Sequence, residues 1–184
     1  MISSQDLIQS EILVLRYKQG DAAAMSELVQ IWAGPLYYYI RRFDMSEDDS
    51  LEVLQDVWLR VLQKFRQLRR PAAFPAWLFK ITRTIVLNRL RRTDRFETAC
   101  SDECLRRIPQ EEGGSGLNGF SIWEIHEALG RLRVINRECL VLRYIQGFSL
   151  REISSVLDVP VGTVKSRLYD AKRALRCLLK VEVD

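Results

Sequence analysis

The chain has 184 residues, 47% of them hydrophobic and 28% charged, a composition typical of a soluble protein with one domain or two small ones. No apolar run reaches the roughly eighteen residues of a membrane span, and the N-terminus lacks the basic-then-apolar order of a signal peptide, so we expect a cytoplasmic protein. Four scattered cysteines and one histidine, His126, argue against a disulfide scaffold, a zinc hydrolase or a histidine-dependent triad. We expect no enzymatic reaction, metal or cofactor, and a structural role for His126.

Acidic and basic residues are segregated along the first half of the chain. Between Arg41 and Asp56, six acids stand against two arginines. The next 37 residues, 57–93, contain ten bases and no acid, interleaved with aromatic residues such as Phe65 and Trp77. A charge run is usually a solvated face, but a run of one sign and this length favours a nucleic-acid partner.

Composition divides the chain into three segments. Residues 1–93 and 121–184 have the apolar periodicity of helices. Neither segment contains an alternation of apolar and polar residues long enough to predict a β-strand. Residues 94–120 have six acids, three arginines and a Gly-Gly-Ser-Gly run, which predicts a flexible acidic linker. Cys100 and Cys104 in this linker are expected to be plain thiols, with a metal or redox role as the alternative. We therefore predict an all-α fold with two small helical domains.

Two helix boundaries are predicted in the first domain. Gly20 and Asp21 indicate a helix end followed by an N-cap, and Ser46 indicates the N-cap of the next long helix. The apolar positions of that helix recur by three and four as one stripe that we expect to be buried, namely Leu51, Leu54, Trp58, Val61 and Phe65. Its outward residues are then Glu52, Gln55, Asp56 and Arg60.

A basic helix is predicted from about Ala76 to Arg92. The residues that can pack are Trp77, Leu78, Ile81, Ile85 and Leu90, and Trp77 is assigned to the core in preference to a stacking role. Another face carries Lys80, Arg83, Thr84 and Asn88. This helix combines the base-only charge run with a polar row.

The second domain contains a helix-turn-helix pattern. Ser149 and Glu152 have the spacing of a capping box, Pro160 breaks the chain, and a longer helix begins at Val161. Its core face is predicted to be Val164, Leu168, Ala171, Leu175 and Leu178. On the outer side we expect Lys165, Ser166 and Tyr169 nearest the base edges of DNA, Arg167 and Arg173 in structural or phosphate contacts, and Asp170 facing DNA. An αα-hairpin that merely packs is the alternative.

The chain resembles the extracytoplasmic-function sigma factors, the smallest sigma subunits of bacterial RNA polymerase. In region 2 the resemblance rests on Lys18-Gln19-Gly20-Asp21, on Glu52-Val53-Leu54-Gln55-Asp56-Val57-Trp58, and on Phe74-Pro75-Ala76-Trp77-Leu78-Phe79-Lys80-Ile81 ending in Leu90-Arg91-Arg92. In region 4 it rests on Arg137-Glu138-Cys139-Leu140-Val141-Leu142-Arg143-Tyr144, on Gly147-Phe148-Ser149-Leu150-Arg151-Glu152-Ile153, and on Val161-Gly162-Thr163-Val164-Lys165-Ser166-Arg167-Leu168. Both sets occur in the family's order.

The resemblance implies a promoter-specificity subunit that binds the β′ and β subunits of core RNA polymerase. Region 4 would recognise the −35 element and region 2 would open DNA at the −10 element, under control of an anti-sigma factor. The implied polymerase contacts are Glu52, Gln55 and Asp56. The implied −10 contacts are Thr84 and Asn88 beside an extruded base, with Lys80, Arg83, Arg91 and Arg92 near the strand backbone.

Two other classes of protein fit parts of the same sequence. A stand-alone regulator would bind DNA through residues 121–180 alone and use residues 1–93 as a ligand or partner module. A helical adaptor would bind only proteins. The regulator predicts a dimer on a palindromic site without polymerase, and the adaptor predicts no DNA binding.

Overall fold

The computed structural model describes residues 2–92 and 122–181, and within these ranges the regular structure is entirely helical, which confirms the all-α prediction. The first half comprises α1 (Ser4–Lys18), α2 (Ala23–Ile40), α3 (Glu47–Lys64) and α4 (Phe74–Arg92). The second half comprises α5 (Ile122–Arg131), α6 (Val134–Leu140), α7 (Leu150–Leu157) and α8 (Val161–Val181). Short 3-10 turns lie at Arg41–Phe43, Phe65–Gln67 and Pro71–Ala73, and a π-helical turn at Val141–Ile145. The predicted linker, with Cys100 and Cys104, and the side chain of His126 lie outside the described part.

Two of the predicted helix starts rest on side-chain caps, whereas the N-cap of α2 is Ala22 in place of the predicted Asp21 and makes no side-chain hydrogen bond. The Ser46 hydroxyl accepts a hydrogen bond from the Asp49 amide at 3.1 Å. Ser149 and Glu152 form a reciprocal capping box, in which the Glu152 amide donates to Ser149 Oγ at 3.3 Å and the Ser149 amide donates to Glu152 Oε2 at 2.8 Å. Each cap satisfies amides that the helix itself leaves without acceptors, so these boundaries follow from local sequence.

The buried face of α3 differs from the predicted stripe. Leu51 is 45% exposed, so its assignment to the core is wrong. Val61 and Phe65 of the predicted stripe are buried, and Leu54 and Trp58 are half-buried. Ser50, Val53 and Val57 complete the buried face. The helix has large apolar residues on two sides, and a spacing of three and four fits either side equally well. Packing of the smaller valines against the neighbouring helices selects the face.

One apolar core extends through both halves of the chain. Trp32, Tyr39, Phe74 and Phe79 are fully buried in the first half. The Phe79 ring contacts the Phe148 ring of the second half edge to face, with centroids 5.1 Å apart. The two halves are therefore packed against each other through an aromatic pair.

A buried arginine also joins the halves. The Arg137 guanidinium, on α6, donates to Asp44 Oδ1 at 2.7 Å and to the carbonyl of Arg42 at 2.7 Å. It also donates to the carbonyls of Gly130 and Leu132 in its own half, at 2.7 and 3.1 Å. Only 5% of this side chain is exposed, so these hydrogen bonds and the Asp44 carboxylate replace the water that would otherwise stabilise its positive charge.

Candidate nucleic-acid interface

The polar row predicted on α4 lies at the surface. Lys80, Thr84 and Asn88 are exposed and follow one another by one helical turn, and Arg91 and Arg92 are exposed at the C-terminal end. The Thr84 hydroxyl donates to the Lys80 carbonyl at 2.8 Å. Its oxygen is therefore the atom left to accept a hydrogen bond from a ligand.

A cleft of about 290 Å³ separates α3 from α4. It is lined by Asp56, Leu59, Arg60, Gln63, Ile85, Asn88, Arg89 and Arg92. The structure thus brings Asn88 and Arg92, predicted −10 contacts, together with Asp56, a predicted polymerase contact. Thr84 does not line this cleft. The sequence interpretation missed Gln63 and Arg89 as neighbours of Asn88, because it treated α3 and α4 separately.

Arg89 is held by acids of α3. Its guanidinium pairs with Glu52 and with Asp49, the latter at 2.9 Å. Hydrogen bonds that the Arg89 guanidinium donates to the Glu52 and Asp49 carboxylates raise the pKa of Arg89. Glu52 therefore has a structural contact in addition to its exposed position.

Lys80 and Arg83 contact the second half of the chain. The Lys80 ammonium lies 3.2 Å from Asp158 Oδ1, in a pair whose carboxylate side chain is 82% exposed. Arg83 Nε donates to Glu138 Oε1 at 2.9 Å, and the Tyr39 hydroxyl donates to the same oxygen at 2.5 Å. Two of the six residues predicted to contact the −10 element are therefore already paired with acidic residues of the second half, Glu138 on α6 and Asp158 in the α7–α8 turn.

Glu138 is a buried carboxylate with two donors. Only 3% of its side chain is exposed. Burial raises the pKa of Glu138, while the Arg83 charge and the Tyr39 hydrogen bond oppose that rise. The hydroxyl of Tyr39 is buried too, and burial followed by the Glu138 charge raises its pKa well above the usual value. Such a pair is weak as evidence for stability, but its geometry links the two halves at one point.

The α8 helix presents the predicted −35 row to solvent. Lys165, Ser166 and Tyr169 are exposed, while Val164 and Leu168 are buried on the opposite side. The half-buried outer residues are Arg167, Asp170 and Arg173. Ala171 and Leu175 are buried, as predicted for the core face of α8. Leu178, also predicted to be buried, is half-buried, and Leu179 is buried in its place.

The outer face of α3 combines polar and apolar residues. Glu52, Gln55 and Asp56 are exposed, and so are Leu51, Leu59 and Leu62, at 45%, 58% and 47%. A cluster of exposed leucines is typical of a protein–protein interface and not of a DNA-binding surface. The sequence interpretation found the acids but missed the leucines, since it placed Leu51 in the core.

The described residues hold neither a cluster of metal ligands nor a helix that could span a membrane. Over 2–92 and 122–181, no group of three or more histidine, cysteine or acidic side chains lies close enough to hold a metal ion. None of the helices in these ranges combines the length and the apolar character that crossing a membrane requires.

Comparisons with known proteins cover nearly the whole chain. Residues 28–96 match Sigma-70 region 2 and residues 122–175 match Sigma-70, region 4. The ECF RNA polymerase sigma factor SigL of Mycobacterium tuberculosis is 30% identical over 88% of this chain and 92% of that protein. The ECF RNA polymerase sigma factor SigE of Mycolicibacterium smegmatis is 30% identical over 85% of this chain, which spans 63% of that longer protein. Among solved structures, CnrH in complex with the cytosolic domain of CnrY has a TM-score of 0.67 and 27% identity, over 94% of this chain and 98% of that one.

Proposed function

The chain belongs to the sigma-70 family as an extracytoplasmic-function sigma factor, a promoter-specificity subunit of RNA polymerase, and on that premise we propose how its two halves divide the work. Residues 1–93 bind core polymerase and the −10 element, residues 121–184 bind the −35 element, and residues 94–120 connect them. The subunit acts in the cytoplasm with the polymerase and catalyses no reaction of its own. The order of the two matched regions carries this proposal.

The two DNA tasks require different surfaces. Reading duplex DNA needs a helix that presents donors and acceptors to the major groove, and the exposed row of α8 supports that role. Holding a melted strand needs cationic groups for the backbone and a concave site for an unstacked base, whose extrusion costs a few kcal/mol. The cleft beside Asn88, with Arg60 and Arg92 at its walls, supports this second role.

The packing of the halves bears on promoter binding. Lys80 and Arg83 pair with Asp158 and Glu138, so these bases contact DNA phosphates only after the pairs separate. The Lys80 pair is exposed and contributes little. Of these two pairs, only the Arg83 pair is largely buried, so Arg83 becomes available to DNA only when the two halves part.

Control by an anti-sigma factor is part of the proposal. CnrH, which resembles this chain over nearly its full length, was solved with a domain of a second protein bound. We propose that this chain is likewise held by a protein inhibitor that competes with polymerase or DNA.

Run-off transcription tests the proposed function. Core polymerase with this chain should transcribe from an asymmetric promoter in a library, and core polymerase alone should not. A dimer of the chain that binds a palindromic site without polymerase would favour the stand-alone regulator instead. No stimulation by the chain on any library promoter would count against the sigma function.

The double substitution Gln55→Ala with Asp56→Lys should weaken binding to core polymerase. Both residues are exposed on α3 beside Leu59, so their loss removes an interface without disturbing the core. The free energy of unfolding should change by less than about 0.5 kcal/mol. Titration of labelled chain with core enzyme measures the affinity. Glu127→Lys, with the same net charge change on α5, is the control, and an equal loss in both variants would remove the assignment.

Substitutions on α4 should separate base selection from backbone binding. Thr84→Ala and Asn88→Ala should change the preference at one −10 position, because Asn88 lines the proposed base site and Thr84 is exposed one helical turn before it on the same row. Arg91→Ala should weaken all promoters alike and lower the salt dependence of log K by about one. A randomised −10 library, read by transcript sequencing, distinguishes the two. If Asn88→Ala weakens every promoter equally, the base site lies elsewhere.

A further inference from the structure

A second concave site lies where the two halves meet. It encloses about 210 Å³ and is lined by Leu7, Glu11, Ala72 and Pro75 from the first half and by Gln146, Gly147, Phe148 and Glu152 from the second. Pockets for drug-sized molecules begin at about 300 Å³. This site therefore suits one or two side chains of a larger partner.

The lining of this site favours a cationic group. Its walls are apolar at Leu7, Pro75 and Phe148, and its charged lining residues are the carboxylates of Glu11 and Glu152. Gln146 is only 6% exposed, and its Oε1 has no hydrogen-bond partner within the described residues. A buried acceptor without a partner is unfavourable, and a donor from a ligand that reached it would offset that cost.

The outer face of α1 continues this site along the surface. Ile8, Ile12 and Leu15 are 63%, 53% and 49% exposed and follow one another by four and three residues. They lie on the side of α1 opposite its buried residues, and Leu7 and Glu11 lie one turn apart along the edge of the stripe. The helix α1 thus has two apolar sides, one buried in the core and one exposed to solvent. An exposed apolar side of this kind indicates a binding surface for a protein partner.

We propose that this surface, the α1 groove (Leu7, Ile8, Glu11, Ile12, Leu15 and the junction site), binds an amphipathic helix of a protein partner. An arginine or lysine of that helix enters the site between Glu11 and Glu152, and apolar residues at spacings of three and four cover the stripe. The stripe runs over the eight residues from Ile8 to Leu15 of α1 and matches about two turns of a partner helix, as in helix-in-groove recognition.

Two other occupants fit the surface less well. Nucleic acid would bring phosphates to the carboxylates Glu11 and Glu152, which repel them. A second copy paired through α1 about a two-fold axis would place Glu11, the central residue of α1, opposite its own counterpart. Both arrangements oppose like charges, whereas a basic helix neutralises them.

The composite origin of the site has a consequence for DNA binding. Because both halves line it, a helix bound there stabilises their packed arrangement. In that arrangement Lys80 and Arg83 are paired with Asp158 and Glu138. The partner would thus lower −10 binding without covering α4. Only this consequence rests on the proposed function, and the docking itself does not.

Selection of displayed helical peptides tests the proposal on the full chain. The peptides have apolar residues at spacings of three and four and randomised positions between them, and the targets are the wild-type chain and the Glu11→Lys variant. Wild type should enrich arginine or lysine beside the apolar row, and Glu11→Lys should enrich acids there. A selected basic peptide should bind Glu11→Lys and Ile12→Asp at least about tenfold more weakly, and Glu127→Lys with unchanged affinity.

Hydrogen exchange and self-association complete the test. The bound peptide should slow exchange in α1 and in residues 146–149. Selection without basic enrichment, or protection confined to other surfaces, would overturn the proposal. So would self-association of the wild-type chain that Ile12→Asp abolishes, since a second copy would then occupy the groove. Run-off transcription by the peptide-free chain is scored separately, so failure of docking is distinguished from failure of the sigma function.

Discussion

Replacing Glu138 with alanine should separate the two halves of the chain and strengthen its binding to −10 DNA. The substitution leaves the buried Tyr39 hydroxyl without an acceptor and Arg83 without its carboxylate. Removing one partner of a buried pair typically costs about 3–5 kcal/mol. We expect a lower urea midpoint and a larger radius of gyration by small-angle scattering. Arg83 and Lys80 then become available, so single-stranded −10 DNA should bind the free chain more tightly.

Glu138→Gln is the matched control for this prediction. Glutamine keeps an oxygen that can accept from Tyr39 and Arg83, so the halves should stay packed more often than in the alanine variant. If the alanine variant keeps the wild-type radius and DNA affinity, the Glu138 contact does not hold the halves together.

The pH dependence of packing follows from the direction of the Glu138 shift. Burial raises the pKa of Glu138 above its ordinary value of 4.5, so the packed state binds this proton more tightly than the open state. The contribution of Glu138 to packing is therefore fully present below the ordinary pKa and is lost as pH rises through the raised pKa. Scattering across this range should show the wild-type chain expanding as pH rises, and the Glu138→Gln variant should lack that step.

Asp170→Arg should strengthen binding to −35 duplex and steepen its salt dependence. Asp170 lies one helical turn after the exposed Ser166, on the flank of the outer row of α8, and its carboxylate opposes phosphate. Each added phosphate contact should steepen the slope of log K against log salt by about one unit. If Asp170 accepts from a cytosine amine, the same change should relax selection at that base pair by about 1–3 kcal/mol. Anisotropy titrations at several salt concentrations measure both effects.

Glu127→Arg provides the control for added charge. It makes the same charge change on α5, at a half-buried position outside α8 where Glu127 pairs with Arg131. It should leave the salt slope unchanged. An Asp170→Arg variant with unaltered affinity and slope would show that residue 170 does not face DNA, and the rotation assigned to α8 would be wrong.

Local sequence determined the elements and much of their surface chemistry. Ser46, Ser149 and Glu152 define helix starts because a cap involves residues only three apart. The polar row of α4 and the outer row of α8 could be predicted because polar residues recur at a helical spacing on one face of each helix, so the period identifies the exposed face. The family could be identified from the sequence for the same reason, since its motifs lie within single helices and turns.

Tertiary packing alone decided the remaining features. Two faces of α3 have apolar residues, and the close fit of Val53 and Val57 against neighbouring helices left Leu51 at the surface. Glu138 and Tyr39 are 99 residues apart, so no local spacing could show that they share a hydrogen bond. The α1 groove and the pairing of Arg83 also require both halves in contact. Periodicity describes one helix at a time, whereas these features depend on which helices meet and at what rotation.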